Sequence, residues 1–200
     1  MTADPIETLA DDEILGPVVA EHGPLVLEPA DDLYQRLVIS LLRQQVSVAS
    51  AAAIQERLFD AVDITPQEML AADRQVLLDA GLSAAKADYV RTAARAFVDH
   101  GWDRATFATM SDEAVRAELT EIHGIGPWTA DMFLIFGLGR EDVFPVGDLG
   151  IRKGMELLFD GEMAREEMVD AAERWRPVRS YASLYIWNYY ENGDTDVGES

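Results

Sequence analysis

The sequence contains one turn whose glycine spacing suits the binding of a phosphate group. Ile122 to Pro127 reads Ile-His-Gly-Ile-Gly-Pro, so Gly124 and Gly126 are one residue apart and a proline follows. Glycine allows a tight turn, and proline suits the first turn of the next helix, so backbone N–H groups can point outward together. These N–H groups and the positive end of the helix would hold an anion. The pattern alone fits a plain interhelical turn equally well.

A second segment delivers a single carboxylate to the start of a predicted helix. Phe144 to Gly147 reads Phe-Pro-Val-Gly, a stiff and turn-forming sequence that leads directly into Asp148. An aspartate in this position is most often an N-cap, because its oxygen accepts a backbone N–H of the first helical turn. A catalytic carboxylate is the alternative role, and Asp148 considered alone favours the cap.

Composition restricts the chemistry that the chain can perform. The 200 residues include no cysteine, which excludes disulfides, thiol nucleophiles, iron–sulfur clusters and cysteine-bound zinc. Three scattered histidines also argue against a dedicated transition-metal site. The formal net charge is -21, with 37 acidic residues against 16 basic ones, and Lys86 and Lys153 are the lysines. Such acidity keeps a surface soluble, but we favour adaptation to molar salt, where charge repulsion is screened. In that medium long-range attraction to a phosphate is weak, so any such contact must come from short-range hydrogen bonds to backbone N–H groups.

The predicted location is the cytoplasm. No apolar run is long enough to cross a bilayer, and the first residues lack the basic and then apolar pattern of a signal peptide. We expect no membrane partner.

Apolar residues recur at helical spacing almost throughout, whereas alternating strand-like runs are scarce, so the sequence predicts an all-α fold. Asp31 or Asp32 should cap a helix that breaks near Arg43 to Val46 and resumes at Ser47. A short helix should begin at Thr65, and Gly81 should end the helix after it. Further helices are expected from Ser83 to Val98, from Ser111 to Leu119, and over 128–136, 149–159, 165–175 and 180–190.

The turn, its spacing from Asp148 and the flanking residues together resemble the helix-hairpin-helix (HhH-GPD) DNA glycosylase superfamily. Within it the chain is most similar to the alkylation-repair branch, DNA-3-methyladenine glycosylase II. The resemblance covers residues from about 30 to 190 and is carried by Ile39 to Ser47, Gly81 to Ser83 with Lys86, Gly124 to Ala130, Asp148 with Leu149, and Trp175 to Ala182 with Trp187. Some members carry an additional β-rich domain, and this chain resembles the compact forms.

The resemblance implies a two-lobed helical fold with the active site in the cleft between the lobes. One compact unit, 1–200, would contain lobe A, about 1–30 plus 140–190, and lobe B, about 31–139, with the hairpin at 119–131. The last residues, 191–200, are expected to form an acidic frayed tail.

The implied activity is that of a monofunctional glycosylase, which hydrolyses the base–sugar bond of alkylated bases and initiates base excision repair. Members that also cut the DNA backbone use a hairpin lysine as a nucleophile, and the matching residue here is Trp128. The expected partner is double-stranded DNA with damaged bases, which implies association with the nucleoid, and a monomer is expected. No cofactor is required, and the chain lacks the cysteines for the iron–sulfur cluster of related branches.

The family pattern also assigns roles to individual residues. Asp148 would be catalytic, and the base pocket would contain Trp128, Trp187, Met132 and Leu149. DNA contacts are expected at His123, Gly124, Gly126, Thr129, Gln44, Gln45 and Ser47. The carbonyls of Thr120, Ile122 and Ile125 would hold a K⁺ or Na⁺ ion.

Within that set, Gln44 and Gln45 lie where the family inserts a wedge into the gap left by the flipped nucleotide, and Gln45 would fill this gap and hydrogen-bond the opposite base. A helix break capped by its own side-chain amides is the alternative.

Three other functions stay open from the sequence. The same scaffold can serve another lesion, such as hypoxanthine, uracil, 8-oxoguanine or mismatched adenine. A non-catalytic module that binds damaged DNA would use the hairpin without needing Asp148. An acidic helical protein that binds another protein would leave the hairpin unexplained.

Overall fold

A computed structural model of the protein describes residues 4–193, and these residues form helices and connecting turns without a β-strand. The all-α prediction is therefore confirmed. The helices are α1 Pro5–Ala10, α2 Gly16–His22, α3 Leu33–Arg43, α4 Val48–Ala61, α5 Pro66–Ala71, α6 Arg74–Asp79, α7 Ala84–His100, α8 Arg104–Ala108, α9 Asp112–Thr120, α10 Pro127–Met132, α11 Leu149–Leu158, α12 Arg165–Ala172 and α13 Arg179–Gly193.

The chain divides into two compact units. The hairpin unit comprises Pro29–Leu138 and contains helices α3 to α10. The aspartate unit combines the described residues up to Glu28 with those from Gly139 onward. Within the part of the chain that the structure describes, no helix is long and apolar enough to span a membrane. Residues 194–200 of the predicted acidic tail lie outside the described residues.

Side-chain caps begin five helices where the sequence predicts them. Asp32, Ser47, Thr65, Ser83 and Ser111 each accept a backbone N–H from the first turn of the helix that follows. Each cap satisfies one of the N–H groups that lack a partner at a helix start. Helix α7 ends at His100, two residues beyond the predicted Val98, because Gly101 adopts the left-handed conformation that ends a helix.

The structure adds short elements that the periodicity did not predict. Helices α1, α2 and α8 contain 6, 7 and 5 residues, too few turns to establish an apolar stripe. The helix expected over 128–136 begins at Pro127, and its second half, Phe133–Gly137, is a π-helical turn. Such a turn depends on a local shift of hydrogen bonds, which the apolar spacing does not record.

Aromatic packing forms the core of the hairpin unit. The ring of Phe97 meets those of Tyr34, Trp102 and Phe133 edge to face, and Phe107 meets Phe133 in the same way. The buried hydroxyl of Tyr34 donates to the carbonyl of Val90 at 2.8 Å, which ties α3 to α7. Ring packing and this hydrogen bond therefore hold α3, which leads into the turn at Gln44, against α7.

The core of the aspartate unit joins its two chain segments around α11 and α13. Its fully or nearly buried residues are Leu9, Leu15, Val18, Val19, Ile151, Met155, Met168, Ala172, Trp175, Val178, Ala182, Tyr185 and Ile186. A Cβ placed on Gly154 of α11 would lie 2.7 Å from the carbonyl oxygen of Ile186. Only glycine permits this approach of the two helices, and Asp148 precedes the first residue of α11.

Candidate active site and DNA-binding hairpin

The glycine turn between α9 and α10 has the backbone conformation that the sequence predicts. Gly124 has a φ of +95°, and a Cβ there would lie 2.2 Å from ring atoms of Tyr89. At Gly126, the N-cap of α10, a Cβ would meet nothing within 4 Å. The first turn of α10 therefore starts at an open backbone, as an anion-binding helix terminus requires.

Gln44 connects the end of α3 to the hairpin. Its Nε2 donates to the carbonyl of Gly124 at 3.0 Å and to the hydroxyl of Thr129 at 2.8 Å. Thr129 itself is only 1% exposed. The two side chains that were both predicted to contact DNA thus contact each other and fix the hairpin relative to α3. Their direct contact with DNA stays a prediction.

An ion pair and a ring contact further restrain the hairpin. Arg116 of α9 donates to Asp131 of α10 at 2.7 Å. Burial raises the pKa of the Asp131 carboxyl, and the neighbouring Arg116 acts in the opposite direction. The exposed ring of His123 meets Tyr89 edge to face, with 5.2 Å between centroids.

The turn between α3 and α4 places Gln45 on the surface in an unusual conformation. Gln45 has a φ of +55°, which is the left-handed region that residues with a Cβ rarely occupy. Its side chain is exposed, as a wedge requires. Ser47 next to it caps α4 by accepting the N–H of Ser50. Strained positions of this kind often coincide with functional sites.

The predicted cation-binding carbonyls belong to the last residue of α9 and to the glycine turn that follows it. The Ile122 carbonyl accepts the N–H of Ile125 at 3.0 Å, and both side chains are buried. The hydroxyl of Thr120 donates back to the carbonyl of Arg116. Among the described residues, no cluster of histidine and acidic side chains has the arrangement of a metal site.

Asp148 caps α11 and also accepts a second hydrogen bond. Its Oδ1 accepts the N–H of Ile151 at 3.0 Å and the indole N–H of Trp187 at 2.8 Å. The preceding loop turns tightly, because the N–H of Asp148 donates to the carbonyl of Pro145 at 2.8 Å. The residue is half-buried. The cap interpretation is therefore correct, and the indole contact adds a restraint that a cap alone does not need.

Gly150 was not identified from the sequence, yet it permits the contact between Trp187 and Asp148. A Cβ on Gly150 would lie 2.9 Å from Cδ1 of Trp187 and 3.1 Å from Oδ1 of Asp148. A side chain there would displace the indole or the carboxylate. The only sequence signal is a glycine within the first turn of the helix, where glycine is less favourable than most other residues.

The other predicted pocket residues are divided between the two units. Leu149, the first residue of α11, is 57% exposed beside Asp148 in the sequence. Trp128 is half-buried in the first turn of α10, and Met132 is buried near the end of that helix. In the aspartate unit Trp187 thus donates a hydrogen bond to Asp148, and in the hairpin unit Trp128 follows the glycine turn. Their roles in a base pocket stay predictions.

The arrangement around Asp148 suits the stabilisation of positive charge. Two donors fix one oxygen of the carboxylate, so its orientation is set before any ligand binds. Indole rings attract cations through their faces. A fixed carboxylate beside an indole can therefore stabilise a cationic centre without first reorganising.

Comparison with protein families supplies an independent identification of the scaffold. A family model described as HhH-GPD superfamily base excision DNA repair protein matches residues 38–177. The DNA-3-methyladenine glycosylase 1 of Schizosaccharomyces pombe is 33% identical over 162 residues, which are 77% of this chain and 71% of that protein. The DNA-3-methyladenine glycosylase 2 of Escherichia coli is 33% identical over 194 residues, which are 91% of this chain and 66% of that protein.

A solved structure has a similar fold. The 3-methyladenine DNA glycosylase of Schizosaccharomyces pombe, in complex with abasic DNA, superposes with a TM-score of 0.83 at 29% identity. The match covers 92% of this chain and 94% of that chain.

Proposed function

Because the chain belongs to the HhH-GPD superfamily of base excision DNA repair proteins, we propose that it is a DNA glycosylase for alkylated bases of the 3-methyladenine type. Its partner is double-stranded DNA that contains damaged bases. The reaction hydrolyses the N-glycosidic bond, releases the base and leaves an abasic site. The release of the base initiates base excision repair.

The observation that carries the proposal is the carboxylate of Asp148 held by two donors. The indole N–H of Trp187 and the N–H of Ile151 both bind Oδ1, and the helix start supplies no other reason for the indole contact. Cleavage of the glycosidic bond develops positive charge on the sugar. A preoriented carboxylate stabilises that charge or positions the water that attacks it.

DNA binding would use the hairpin unit. The N–H groups of Gly124 and Gly126 bind a DNA phosphate, and Gln45 enters the space left by the extruded nucleotide. Extrusion costs a few kcal/mol and costs less for a damaged base pair. Trp128 and Trp187 stack on an alkylated base, whose positive charge favours contact with an indole face.

A single carboxylate is sufficient for alkylated bases. Such a base leaves in neutral form once the bond breaks, so no second group has to protonate it. Trp128 stands at the hairpin position that holds the lysine nucleophile in lyases. The proposal therefore includes a monofunctional reaction without strand cleavage.

The test is an excision assay on duplexes that each contain one lesion. The panel comprises 3-methyladenine, 1-methyladenine, hypoxanthine, uracil and 8-oxoguanine, and products are analysed before and after alkali. We expect release of alkylated bases, with strand breaks only after alkali treatment. Faster release of uracil or 8-oxoguanine would assign a different lesion. Binding without release of any base would indicate a non-catalytic module.

We also propose a monovalent cation at the carbonyls of Thr120, Ile122 and Ile125. The Ile122 carbonyl accepts one hydrogen bond and retains a second lone pair, and carbonyl oxygens suit a hard cation. The cation would orient the glycine turn toward the phosphate. Replacement of KCl by tetramethylammonium chloride at equal ionic strength should weaken DNA binding, whereas unchanged binding would contradict this part.

Adaptation to high salt is the final part of the proposal. It is supported by the net charge of -21 and by the use of lysine at two positions alone. Self-repulsion at this charge is relieved when the Debye length falls to about 3 Å near 1 M salt. We expect the midpoint of thermal unfolding to rise steadily between 0.1 and 2 M KCl. A midpoint that does not change over this range would contradict the adaptation.

A further inference from the structure

Lys86 occupies a position that the proposed reaction does not explain. It lies in the first turn of α7, and its ammonium group donates to the carbonyls of Leu42 at 2.5 Å and Gln44 at 2.8 Å. Both carbonyls belong to the end of α3 and the turn after it. A side chain from one helix therefore binds the C-terminal end of another, 42 and 44 residues away in the sequence.

The end of α3 needs such a donor. The last carbonyls of a helix lack N–H partners, and a glycine in the left-handed conformation commonly supplies the turn that satisfies them. Here the left-handed residue is Gln45, and the N–H of Gln44 reaches the carbonyl of Leu41 only at 3.4 Å. Lys86 compensates for this poor local cap. Its positive charge also suits the negative end of the α3 dipole.

The chemistry of the ammonium group explains why the residue is a lysine in a chain with little lysine. An ammonium is compact and has three donors that can turn toward two carbonyls, whereas the planar guanidinium of arginine fits bidentate acceptors. Burial lowers the pKa of Lys86, so the site keeps a partly desolvated charge.

Gln44 passes this restraint on to the hairpin. Its carbonyl accepts from Lys86, while its side-chain Nε2 donates to the carbonyl of Gly124 and to the hydroxyl of Thr129. Gln45, the next residue, has the left-handed backbone and an exposed side chain. The wedge and the phosphate-binding turn are thus fixed through one residue.

We propose that Lys86 is a positioning residue for DNA binding, whose ammonium holds the carbonyls of Leu42 and Gln44 so that Gln45 points outward in register with the glycine hairpin. This inference rests on the proposed function, because it assigns Gln45 the role of the wedge. Lys86 itself does not touch the base or the sugar. Its effect on DNA binding is exerted through Gln45, whose position relative to the hairpin it fixes.

The test compares Lys86→Met with Lys153→Met. Both substitutions remove one positive charge, but Lys153 is exposed, lies in the aspartate unit and pairs with Glu156. The readout is the ratio of affinities for an abasic-site duplex and an undamaged duplex. We expect Lys86→Met to lower this ratio about tenfold, a loss of the order of one hydrogen bond to a charged group. Lys153→Met should change it less than twofold.

A double-mutant cycle separates positioning from general stability. If Lys86 acts through Gln45, Lys86→Met should have little further effect on the ratio in a Gln45→Ala background. Lys86→Arg, which keeps the charge but changes the geometry, should lie between the wild type and Lys86→Met. Fully additive effects in the cycle would contradict the inference, because they would mean that Lys86 affects binding independently of Gln45.

A measurement without DNA keeps the inference distinct from the proposed function. Hydrogen exchange of the amides of residues 44–47 should accelerate in Lys86→Met and stay unchanged in Lys153→Met, with exchange in α13 equal in both. Unchanged exchange at 44–47 would overturn the inference, whatever the enzyme releases. The protein could release no base from any lesion while Lys86→Met still accelerates exchange and lowers the affinity ratio. That combination would refute the proposed activity and support the positioning role of Lys86.

Discussion

The hydrogen bond from Trp187 to Asp148 is the contact on which the rate of base release should depend most. Trp187→Phe keeps an aromatic ring on α13 but removes the N–H that donates to Oδ1 at 2.8 Å. Ile151 would still donate to that oxygen, so the helix cap would survive. The substitution therefore takes away the orientation of the carboxylate while the fold of the aspartate unit is kept.

The size of the effect follows from the charge of the acceptor. A hydrogen bond to a charged group contributes about 1.5–3 kcal/mol, and each 1.4 kcal/mol corresponds to a factor of ten in rate. If the bond acts fully in the transition state, base release should slow by about 10- to 150-fold. Gly150→Ala tests the same contact with the indole retained, because its Cβ would lie 2.9 Å from Cδ1 of Trp187. It should slow release in the same direction.

The assay is base release under single-turnover conditions, with enzyme in excess over a duplex that contains one alkylated base. The control is Trp102→Phe, a change of the same type at a buried tryptophan that packs against Phe97 and His100 in the hairpin unit. It should lower the free energy of unfolding without changing the rate of release at a temperature where the variant is folded. Rates for Trp187→Phe and Gly150→Ala within twofold of the wild type would refute the orientation of Asp148 by the indole.

Three further predictions concern the turn after α3, helix packing and charge. Gln45→Gly should raise the free energy of unfolding by about 1 kcal/mol, because glycine adopts a φ of +55° without strain, and it should lower the preference for an abasic over an undamaged duplex. Urea unfolding and a binding titration measure these two effects, and a loss of stability would contradict the presence of strain at Gln45. Gly154→Ala should destabilise by about 1–3 kcal/mol, since its Cβ would lie 2.7 Å from the carbonyl oxygen of Ile186; an unchanged urea midpoint would show that α11 and α13 separate easily. DNA affinity should depend only weakly on KCl concentration, because the acidic chain has few cationic groups to displace counterions; a steep log–log slope would contradict binding through backbone N–H groups.

Local chemistry made the helix starts predictable from the sequence. A serine, threonine or aspartate before an apolar periodic run forms a cap within a few residues, and Ser47, Thr65, Ser83 and Ser111 all do so. The turn at Gly124 was also predictable from local sequence, because glycine adopts a φ of +95° without strain. The π-helical turn at Phe133–Gly137 was not, because it depends on how the whole unit packs.

Contacts between distant segments determined the parts of the candidate site that the sequence did not reveal. The amide of Gln44 reaches Gly124 and Thr129 across 80 and 85 residues, and side-chain type does not specify a carbonyl acceptor. The sequence therefore pointed to Gln45 as the wedge but carried no signal for the contact of Gln44 with the hairpin. Lys86 was identified only as part of a motif, because its acceptors are also backbone carbonyls.

The most direct test of the proposed reaction is base release by Asp148→Asn. Asparagine caps helices about as well as aspartate, and its carbonyl oxygen can still accept from Ile151 and Trp187, so the variant loses the charge and retains the fold. The account predicts that release of an alkylated base falls at least about 100-fold, while affinity for an abasic-site duplex stays close to that of the wild type. An undiminished single-turnover rate would contradict the role of Asp148 as the catalytic carboxylate.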